Sequence, residues 1–179
     1  LPFNTWKDEY QLGARYGLRG KVLKEIKSDI QKITIMNTER YGKALLIDDC
    51  WMTTEKKEKD YHECLVHPAM SSSKNIDKVL IIGGGDGGSA RECLHYKEVK
   101  TIDLIEIDQK VIDLCQEFMP SLGGNAWKDK RLNIKILDGV EWITHSKDNT
   151  YDVIIIDGAD PTGPAKKLFE KAFLIECRR

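Results

Sequence analysis

Glycines and an acidic residue follow an apolar run in the middle of the chain. The segment GGGDGG at residues 83–88 fits the pattern G-x-G-x-x-G, in which glycines let the backbone turn tightly and approach a ligand closely. Asp86, inside this segment, would repel a pyrophosphate but attract an amine or a sulfonium group. The segment therefore predicts a nucleoside site with contacts from Gly83, Gly85 and Asp86.

Three further apolar segments also end in acidic residues. Glu106 lies 18 residues after Gly88, where a carboxylate can accept both ribose hydroxyls of an adenosine. Asp138-Gly139 and Asp157 end the next two segments. A single aspartate at such a position is more often a turn former or a helix N-cap. Four acidic residues at the carboxyl edge of one sheet instead favour a ligand site.

The segment DGADPTGP at 157–164 contains two carboxylates three residues apart, Asp157 and Asp160. Two prolines restrict its backbone, so the carboxylates could hold a cationic amine and accept its proton. The same spacing also fits an ordinary loop in which Asp160 only begins a turn before Pro161. The spacing alone leaves both interpretations open.

These residues need a parallel sheet to bring them together, and the second half of the chain has the required alternation. Apolar runs predict strands at 78–82, 101–106, 132–136 and 151–156. Helices are predicted near 89–95, 111–119, 140–144 and 165–178. This order predicts an α/β fold with a Rossmann-like, methyltransferase-like, doubly wound parallel sheet.

The first half has a period of two instead. The segments 21–26, 31–36 and 43–47 are rich in β-branched residues and separated by polar turns, which predicts a small antiparallel sheet. A helix over about 61–70 and a polar linker at 71–75 follow. We therefore predict an N-terminal β-strand domain over 1–72 and a nucleoside-binding catalytic domain over 73–179.

Composition excludes several classes of protein. With 28 Lys and Arg against 29 Asp and Glu, the net charge of −1 gives no basic surface for nucleic acid. No apolar run approaches the roughly 20 residues of a membrane span, and the first residues do not resemble a secretory signal. We expect a cytoplasmic protein. The five widely spaced cysteines are interpreted as buried free thiols, without a metal site.

Taken together, the motifs resemble those of the spermidine synthases, the polyamine aminopropyltransferases. The resemblance covers nearly the whole chain and rests on motifs in the same order and at similar separations. They are GGGDGG at 83–88, EID at 106–108, DG at 138–139, DGADP at 157–161 and YHE at 61–63. It implies transfer of an aminopropyl group from decarboxylated S-adenosylmethionine to putrescine, without a metal, in a homodimer or homotetramer.

The resemblance also implies a role for each matched residue. Asp157 would be the proton acceptor, and Glu106 would bind the ribose. Asp138 and Gly139 would contact the adenine end of the co-substrate. The other implied amine and nucleoside contacts are Gln31, Tyr61, His62, Asp86 and Asp160, with Pro164 in a loop that covers the site.

The chain departs from the family pattern in two respects. Met52, Lys57 and Lys59 replace the residues that usually precede the YHE motif, so the contacts of that segment and the acceptor amine stay open. Family members also continue for roughly a hundred residues more. The apolar strand at 153–156 would be a bare sheet edge if the sheet ended here. We therefore expect a chain that is incomplete at its C-terminus.

Two other functions use the same features. A methyltransferase would bind intact S-adenosylmethionine, although Asp86 would repel its carboxylate. A catalytically silent polyamine- or nucleoside-binding relative would keep the pocket but not the reaction. Turnover with decarboxylated S-adenosylmethionine and putrescine distinguishes the three.

Overall fold

The computed structural model describes residues 4–11, 13–161 and 163–179. These residues form two sheets, and the first of them along the chain is antiparallel. The sheet is formed by β1 to β5 in sequential order, as predicted for its three central strands. The strands are Thr5–Gln11, Ala14–Lys27, Lys32–Thr38, Gly42–Ile47 and Cys50–Thr54. β1 was not predicted because it lacks an apolar face: Trp6, for example, is exposed.

The apolar face of this sheet packs against a helix of the second half of the chain. In β3 and β4, Ile33 and Leu45 are buried against Val111 and Leu114 of α3, which spans Gln109–Phe118. Most turns at the edges are short, and the turn between β4 and β5 places Asp48 and Asp49 at positive φ, as in a type I′ hairpin. The antiparallel sheet is thereby joined to the rest of the molecule through its core.

The second sheet is parallel, with the strand order β8-β7-β6-β9. Its strands are β6 (Lys78–Gly83), β7 (Thr101–Glu106), β8 (Leu132–Ile136) and β9 (Val153–Asp157). From β6 the chain first adds strands on one side and then places β9 on the other. Ligands of such sheets bind at the carboxyl ends of the strands where this reversal occurs. Among the described residues, β9 lies at the edge of the sheet.

Helices cover both faces of this sheet, which confirms the doubly wound architecture. On one face, α1 (Glu58–Ser72) and α2 (Gly88–Leu94) pack against Val79 and Ile81. On the other face, α4 (Gly139–His145) and α5 (Lys171–Arg178) pack near Leu80 and Ile82. Alternate residues of β6 thus point into different cores, as expected for a strand buried on both sides.

The prediction of one continuous helix over 165–178 is wrong. The structure has a 3-10 helix at Gly163–Phe169, a break at Glu170 in extended backbone, and then α5. Leu168 and Phe173 both pack against the core beside β6. Five residues apart on a continuous α-helix, they would point about 140° away from each other. The break lets both side chains reach the same core.

The prediction that the cysteines are buried free thiols is confirmed only in part. The cysteines are free, and Cys93 and Cys115 are buried as predicted, but Cys64 is exposed on α1. The predicted domain boundary at residue 72 stays a prediction. None of the described helices is both long and apolar enough to cross a membrane.

Leu104 provides a test of the packing of the parallel sheet. Its side chain is fully buried in β7, so Leu104→Ala should lower the free energy of unfolding by about 2–5 kcal/mol. Urea denaturation measures the change. Leu174→Ala, which truncates an exposed side chain of α5, is the matched control and should stay within about 0.5 kcal/mol of the unmodified chain. Equal effects of the two substitutions would contradict this core.

Candidate active site

A pocket opens at the carboxyl ends of the parallel strands and is closed on the other side by β4, β5 and the turn before β3. Apolar side chains, including Leu45 and Ile47, line the wall contributed by the antiparallel sheet. The pocket brings together most of the residues that the sequence singled out. They are Gln31, Tyr61, Gly83, Gly85, Asp86, Glu106, Asp138, Gly139, Asp157 and Asp160.

The glycine-rich turn forms the floor of this pocket. Gly83 has φ +81°, and a Cβ there would lie 2.1 Å from the carbonyl oxygen of Asp157. A Cβ on Gly85 would lie 2.8 Å from Oε2 of Glu106. Both positions therefore require glycine, one for its backbone conformation and close approach, the other for the space beside a carboxylate.

Glu106 is buried at the end of β7, with its carboxylate in the pocket wall. Oε1 accepts a hydrogen bond from the backbone N–H of Asp108 at 3.0 Å. Burial and the negative charge of Asp108 raise the pKa of Glu106 to about 7, although backbone N–H groups oppose the shift. A ligand that donates hydroxyl hydrogen bonds would stabilise the ionised carboxylate and lower this pKa.

Gln31 is held in place by a contact between the two halves of the chain. The carboxylate of Asp108 caps α3 and also accepts hydrogen bonds from Ser28 at 2.6 Å and from the Gln31 amide at 3.2 Å. The turn between β2 and β3 is thereby tied to the end of β7. Asp108 belongs to the EID motif, but its role as this link was not predicted.

Asp138 has both of the roles considered from the sequence, since it is a helix N-cap and also lines the pocket. Its Oδ1 accepts a hydrogen bond from the backbone N–H of Val140 at 2.7 Å, so it is the N-cap of α4. The same residue lines the pocket together with Gly139. The capping bond fixes the carboxylate where α4 begins.

Asp157 is the most strongly constrained carboxylate of the pocket. Oδ1 accepts a hydrogen bond from the Tyr61 hydroxyl at 2.9 Å, and Oδ2 accepts one from Ser89 at 2.7 Å. Burial and the nearby charge of Asp86 raise the pKa of Asp157 above its ordinary value, against the effect of His62 and these two hydroxyls. The result is a fixed and more basic carboxylate that faces the pocket.

His62 lies behind these carboxylates, is fully buried, and is not among the residues that line the pocket. Nε2 is 3.3 Å from Oδ2 of Asp86 and 4.0 Å from Oδ2 of Asp157, while Nδ1 contacts Glu58 at 2.8 Å. Nε2 makes no well-aligned hydrogen bond, so its contacts with the two aspartates are electrostatic. Burial lowers the pKa of His62, but the contact with Asp86 and the surrounding negative charges outweigh this and raise it to about 9.

Glu58 was not identified from the sequence, although it is one helical turn before His62. Its carboxylate accepts two hydrogen bonds from Arg91, at 2.8 and 2.9 Å, in addition to the contact with His62. The spacing i, i+4 on α1 places both side chains on one buried face. Glu58 therefore orients His62 toward the aspartates and joins α1 to α2.

The remaining residues singled out from the sequence differ in their position relative to the pocket. Asp160 lies at the pocket rim and is exposed. The side chain of Pro164 lies outside the described part of the chain. Of the departures from the family pattern, Met52 lines the pocket. Lys57 pairs with Asp60 on the outer surface of α1, and Lys59 is also exposed.

The site offers ligand atoms to a cation as well. His62, Asp86 and Asp157 each contribute one atom to a group whose members lie within 4.8 Å of one another. The absence of a metal from this site, expected from the sequence, stays a prediction.

Fold and pocket together define a class: an α/β protein with the Rossmann-like methyltransferase fold and an acidic pocket at the carboxyl ends of its strands. Residues 58–179 match the model of the spermine/spermidine synthase domain. A polyamine aminopropyltransferase of Prochlorococcus marinus strain NATL1A is 64% identical over 174 residues, covering 97% of this chain and 60% of that relative. The corresponding protein of strain MIT 9313 is 52% identical and is covered to 62%.

Two solved structures with a similar fold are also spermidine synthases. A spermidine synthase in complex with the transition-state analogue AdoDATO superimposes with a TM-score of 0.92 at 38% identity, covering 97% of this chain and 60% of that one. The spermidine synthase of Thermotoga maritima gives a TM-score of 0.89, also at 38% identity, with 97% and 59% covered. The chain belongs to the spermine/spermidine synthase family. It spans about 60% of the length of the curated relatives it matches.

The raised pKa of His62 predicts how stability depends on pH. Because the folded value of about 9 exceeds the ordinary 6.5, the protonated imidazole stabilises the fold below about pH 6.5, and this contribution is lost as the pH rises through about 9. The free energy of unfolding should fall by on the order of 2 kcal/mol across this window.

Urea denaturation at several pH values between 6.5 and 9.5 measures this dependence. His62→Gln, which cannot titrate, should be less stable at pH 6.5 but should lose most of the slope. His145→Gln changes an exposed histidine and serves as the control, which should retain it. An unaltered slope in His62→Gln would show that another group titrates.

Proposed function

We propose that this protein transfers the aminopropyl group of decarboxylated S-adenosylmethionine to putrescine, with spermidine and methylthioadenosine as products. The observation that carries the proposal is the pair Asp86 and Asp157, whose side chains are only 11% and 8% exposed and line the same pocket as Glu106. The names of the relatives, polyamine aminopropyltransferase and spermidine synthase, support the same reaction.

The nucleoside would occupy the part of the pocket beside β7 and α4. Glu106 would accept hydrogen bonds from the ribose hydroxyls, and the backbone of Gly85 leaves room for this contact. Asp138 and Gly139 would contact the adenine, with apolar neighbours such as Ile107 and Leu168 in the same wall. Gln31, held by Asp108, would reach the nucleoside from the antiparallel sheet.

The amines would occupy the acidic part of the pocket. Asp86 and Asp157 contribute two carboxylates to it, and the imidazolium of His62 lies against both of them from behind. The excess negative charge suits a diammonium ligand and the sulfonium of the co-substrate. Asp86 would hold the aminopropyl ammonium, and Asp160 with Tyr61 would contact the acceptor.

The reaction requires a neutral amine. An alkylammonium with a pKa near that of lysine, about 10.4, is not a nucleophile at pH 7. Asp157 would accept one proton as the nitrogen attacks the carbon beside the sulfonium. The new N–C bond forms while the C–S bond breaks, and the electron pair of that bond neutralises the sulfur, which leaves in methylthioadenosine. The Tyr61 and Ser89 hydroxyls hold the carboxylate in position.

Three outcomes of one assay distinguish the proposal from its alternatives. The chain is incubated with decarboxylated S-adenosylmethionine and a panel of putrescine, cadaverine, agmatine and spermidine, and the products are identified by mass spectrometry. Spermidine and methylthioadenosine support the proposal. Methylation from intact S-adenosylmethionine would indicate a methyltransferase. Nucleoside binding without turnover of any amine would indicate a silent relative.

The role of Glu106 can be tested by binding alone. Glu106→Gln removes a charged acceptor of the ribose hydroxyls, so methylthioadenosine should bind at least about tenfold more weakly, a cost on the order of 1.5–3 kcal/mol. Because the pKa of Glu106 is about 7, affinity of the unmodified chain should rise between pH 6 and 8, and the substitution should flatten this rise. Calorimetry measures both effects. Glu117→Gln, on the exposed face of α3, is the control and should leave the affinity unchanged. Unchanged methylthioadenosine affinity in Glu106→Gln would exclude the ribose contact.

The proton-acceptor role predicts a different kinetic pattern. Asp157→Asn keeps the shape of the side chain but cannot accept the proton, so kcat should fall by roughly 10² or more while methylthioadenosine binding persists. Steady-state kinetics with putrescine measure the change, with Asp113→Asn on the surface of α3 as the control. Near-normal kcat would show that Asp157 only positions the amine.

We also propose that the protein acts in the cytoplasm as a homodimer or homotetramer, an extension that rests on the resemblance to the family. Light scattering combined with gel filtration measures the oligomeric state. A monomer at micromolar concentration would contradict this part of the proposal.

A further inference from the structure

A second group of ligand-type side chains lies at the other end of α2 from the glycine-rich turn. His67 of α1, Glu92 of α2 and His95, which follows α2, each contribute one atom, and the three atoms lie within 4.8 Å of one another. The pocket does not include any of the three. From the sequence alone, His67 and His95 are interpreted as structural or exposed histidines.

The two oxygens of the Glu92 carboxylate have separate partners. Oε1 accepts hydrogen bonds from Arg91, at 2.6 and 2.8 Å. Oε2 faces the two imidazoles instead, 3.3 Å from Nε2 of His67 and 3.0 Å from Nδ1 of His95. The carboxylate is buried, so its orientation is fixed and Oε2 points toward both rings.

His67 is oriented by a hydrogen bond on its far side. Nδ1 lies within hydrogen-bonding distance of the Tyr96 hydroxyl, at 3.0 Å. In the tautomer in which Nδ1–H donates to the Tyr96 hydroxyl, the lone pair of Nε2 is directed at Oε2 of Glu92, 3.3 Å away. That tautomer suits a cation held between the two atoms, because two lone pairs at this distance otherwise repel each other. A histidine ligand of a metal ion commonly donates its other N–H in this way.

The charges around Glu92 also leave room for a cation. Arg91 is shared between the buried carboxylates of Glu58 and Glu92, and the positive charge of His62 is shared between Glu58 and the two aspartates of the pocket. The ion pair with Arg91 uses Oε1 of Glu92 and leaves Oε2 to face His67 and His95. Oε2 therefore presents negative charge toward the imidazoles.

We propose that His67, Glu92 and His95 bind a divalent transition-metal ion of the Zn²⁺ class. The ligand atoms would be Nε2 of His67, Oε2 of Glu92 and Nδ1 of His95. Bonds of about 2.0–2.1 Å at tetrahedral angles separate ligands by roughly 3.3 Å, close to the distances of 3.0 and 3.3 Å in this group. Water would complete the coordination, and the side chain of His95, 62% exposed, leaves the site open to solvent.

The bound ion would hold the middle of α1 against the end of α2. Ligand binding to the folded state stabilises it by an amount that increases with the logarithm of the free ion concentration once this exceeds Kd. The site is separate from the proposed amine pocket, so it does not depend on the proposed reaction. Its effect should be on stability rather than on the chemical step.

Titration of the metal-free chain with Zn²⁺ alone tests the proposal. Calorimetry should show one ion per chain, and Co²⁺ in its place should give the visible absorption of a tetrahedral N/O site. The melting temperature should rise with Zn²⁺ concentration. His95→Ala and His67→Gln should each weaken binding by about tenfold or more, and Tyr96→Phe by roughly tenfold through loss of the orienting hydrogen bond.

Two controls locate the ion. His145→Ala, which removes an exposed histidine elsewhere, should leave binding unchanged. Asp157→Asn should also leave it unchanged, whereas loss of binding in that variant would place the ion in the pocket and overturn the proposal. Two results would overturn the proposal: absence of Zn²⁺ binding, or a Zn²⁺ affinity of His95→Ala and His67→Gln equal to that of the unmodified chain. Either would show that Glu92 only accepts hydrogen bonds from the two imidazoles.

Discussion

The pairing of buried carboxylates with a single buried imidazolium is the constraint on which the site depends. Asp86 and Asp157 repel each other with side chains that are largely removed from water, and this arrangement is costly without an opposite charge. His62 supplies that charge from behind, which leaves the pocket side of both carboxylates available for a ligand. A cationic substrate would then complete the neutralisation that the protein provides only in part.

The same constraint explains why the helices that flank the site are joined by ion pairs. Glu58 orients His62 and is itself balanced by Arg91, which also binds Glu92. These groups form a continuous chain of alternating charges from the pocket to the far end of α2. Removing one member would leave each of its buried neighbours with one opposite charge fewer, so the positions of α1 and α2 are closely coupled.

The antiparallel sheet has a corresponding role on the other side of the pocket. Its apolar face packs on α3, and the turn before β3 is bound to Asp108 through Ser28 and Gln31. The pocket therefore has one wall from each half of the chain. The parallel sheet contributes most of the polar groups, and the antiparallel sheet contributes mainly apolar side chains such as Leu45 and Ile47.

The sequence by itself determined most of the elements and the polar edge of the site. Strand periodicity predicted the central strands of both sheets, and the position of Glu106, Asp138 and Asp157 after apolar runs predicted that they meet. These features are local, because a strand end in a parallel sheet has one possible edge. Even the error in the last helix arose from long-range packing, since the break at Glu170 lets Leu168 and Phe173 reach one core.

Only the tertiary structure decided how the charges are paired. Tyr61 and Asp157 are 96 residues apart, and Gln31 and Asp108 are 77 apart, so no local pattern could predict their hydrogen bonds. The position of His62 behind the aspartates depends on the rotation of α1 about its axis, which packing against the sheet determines. Short-range periodicity specifies which face of an element is buried, whereas the partner of a buried charge is specified by what packs against that face.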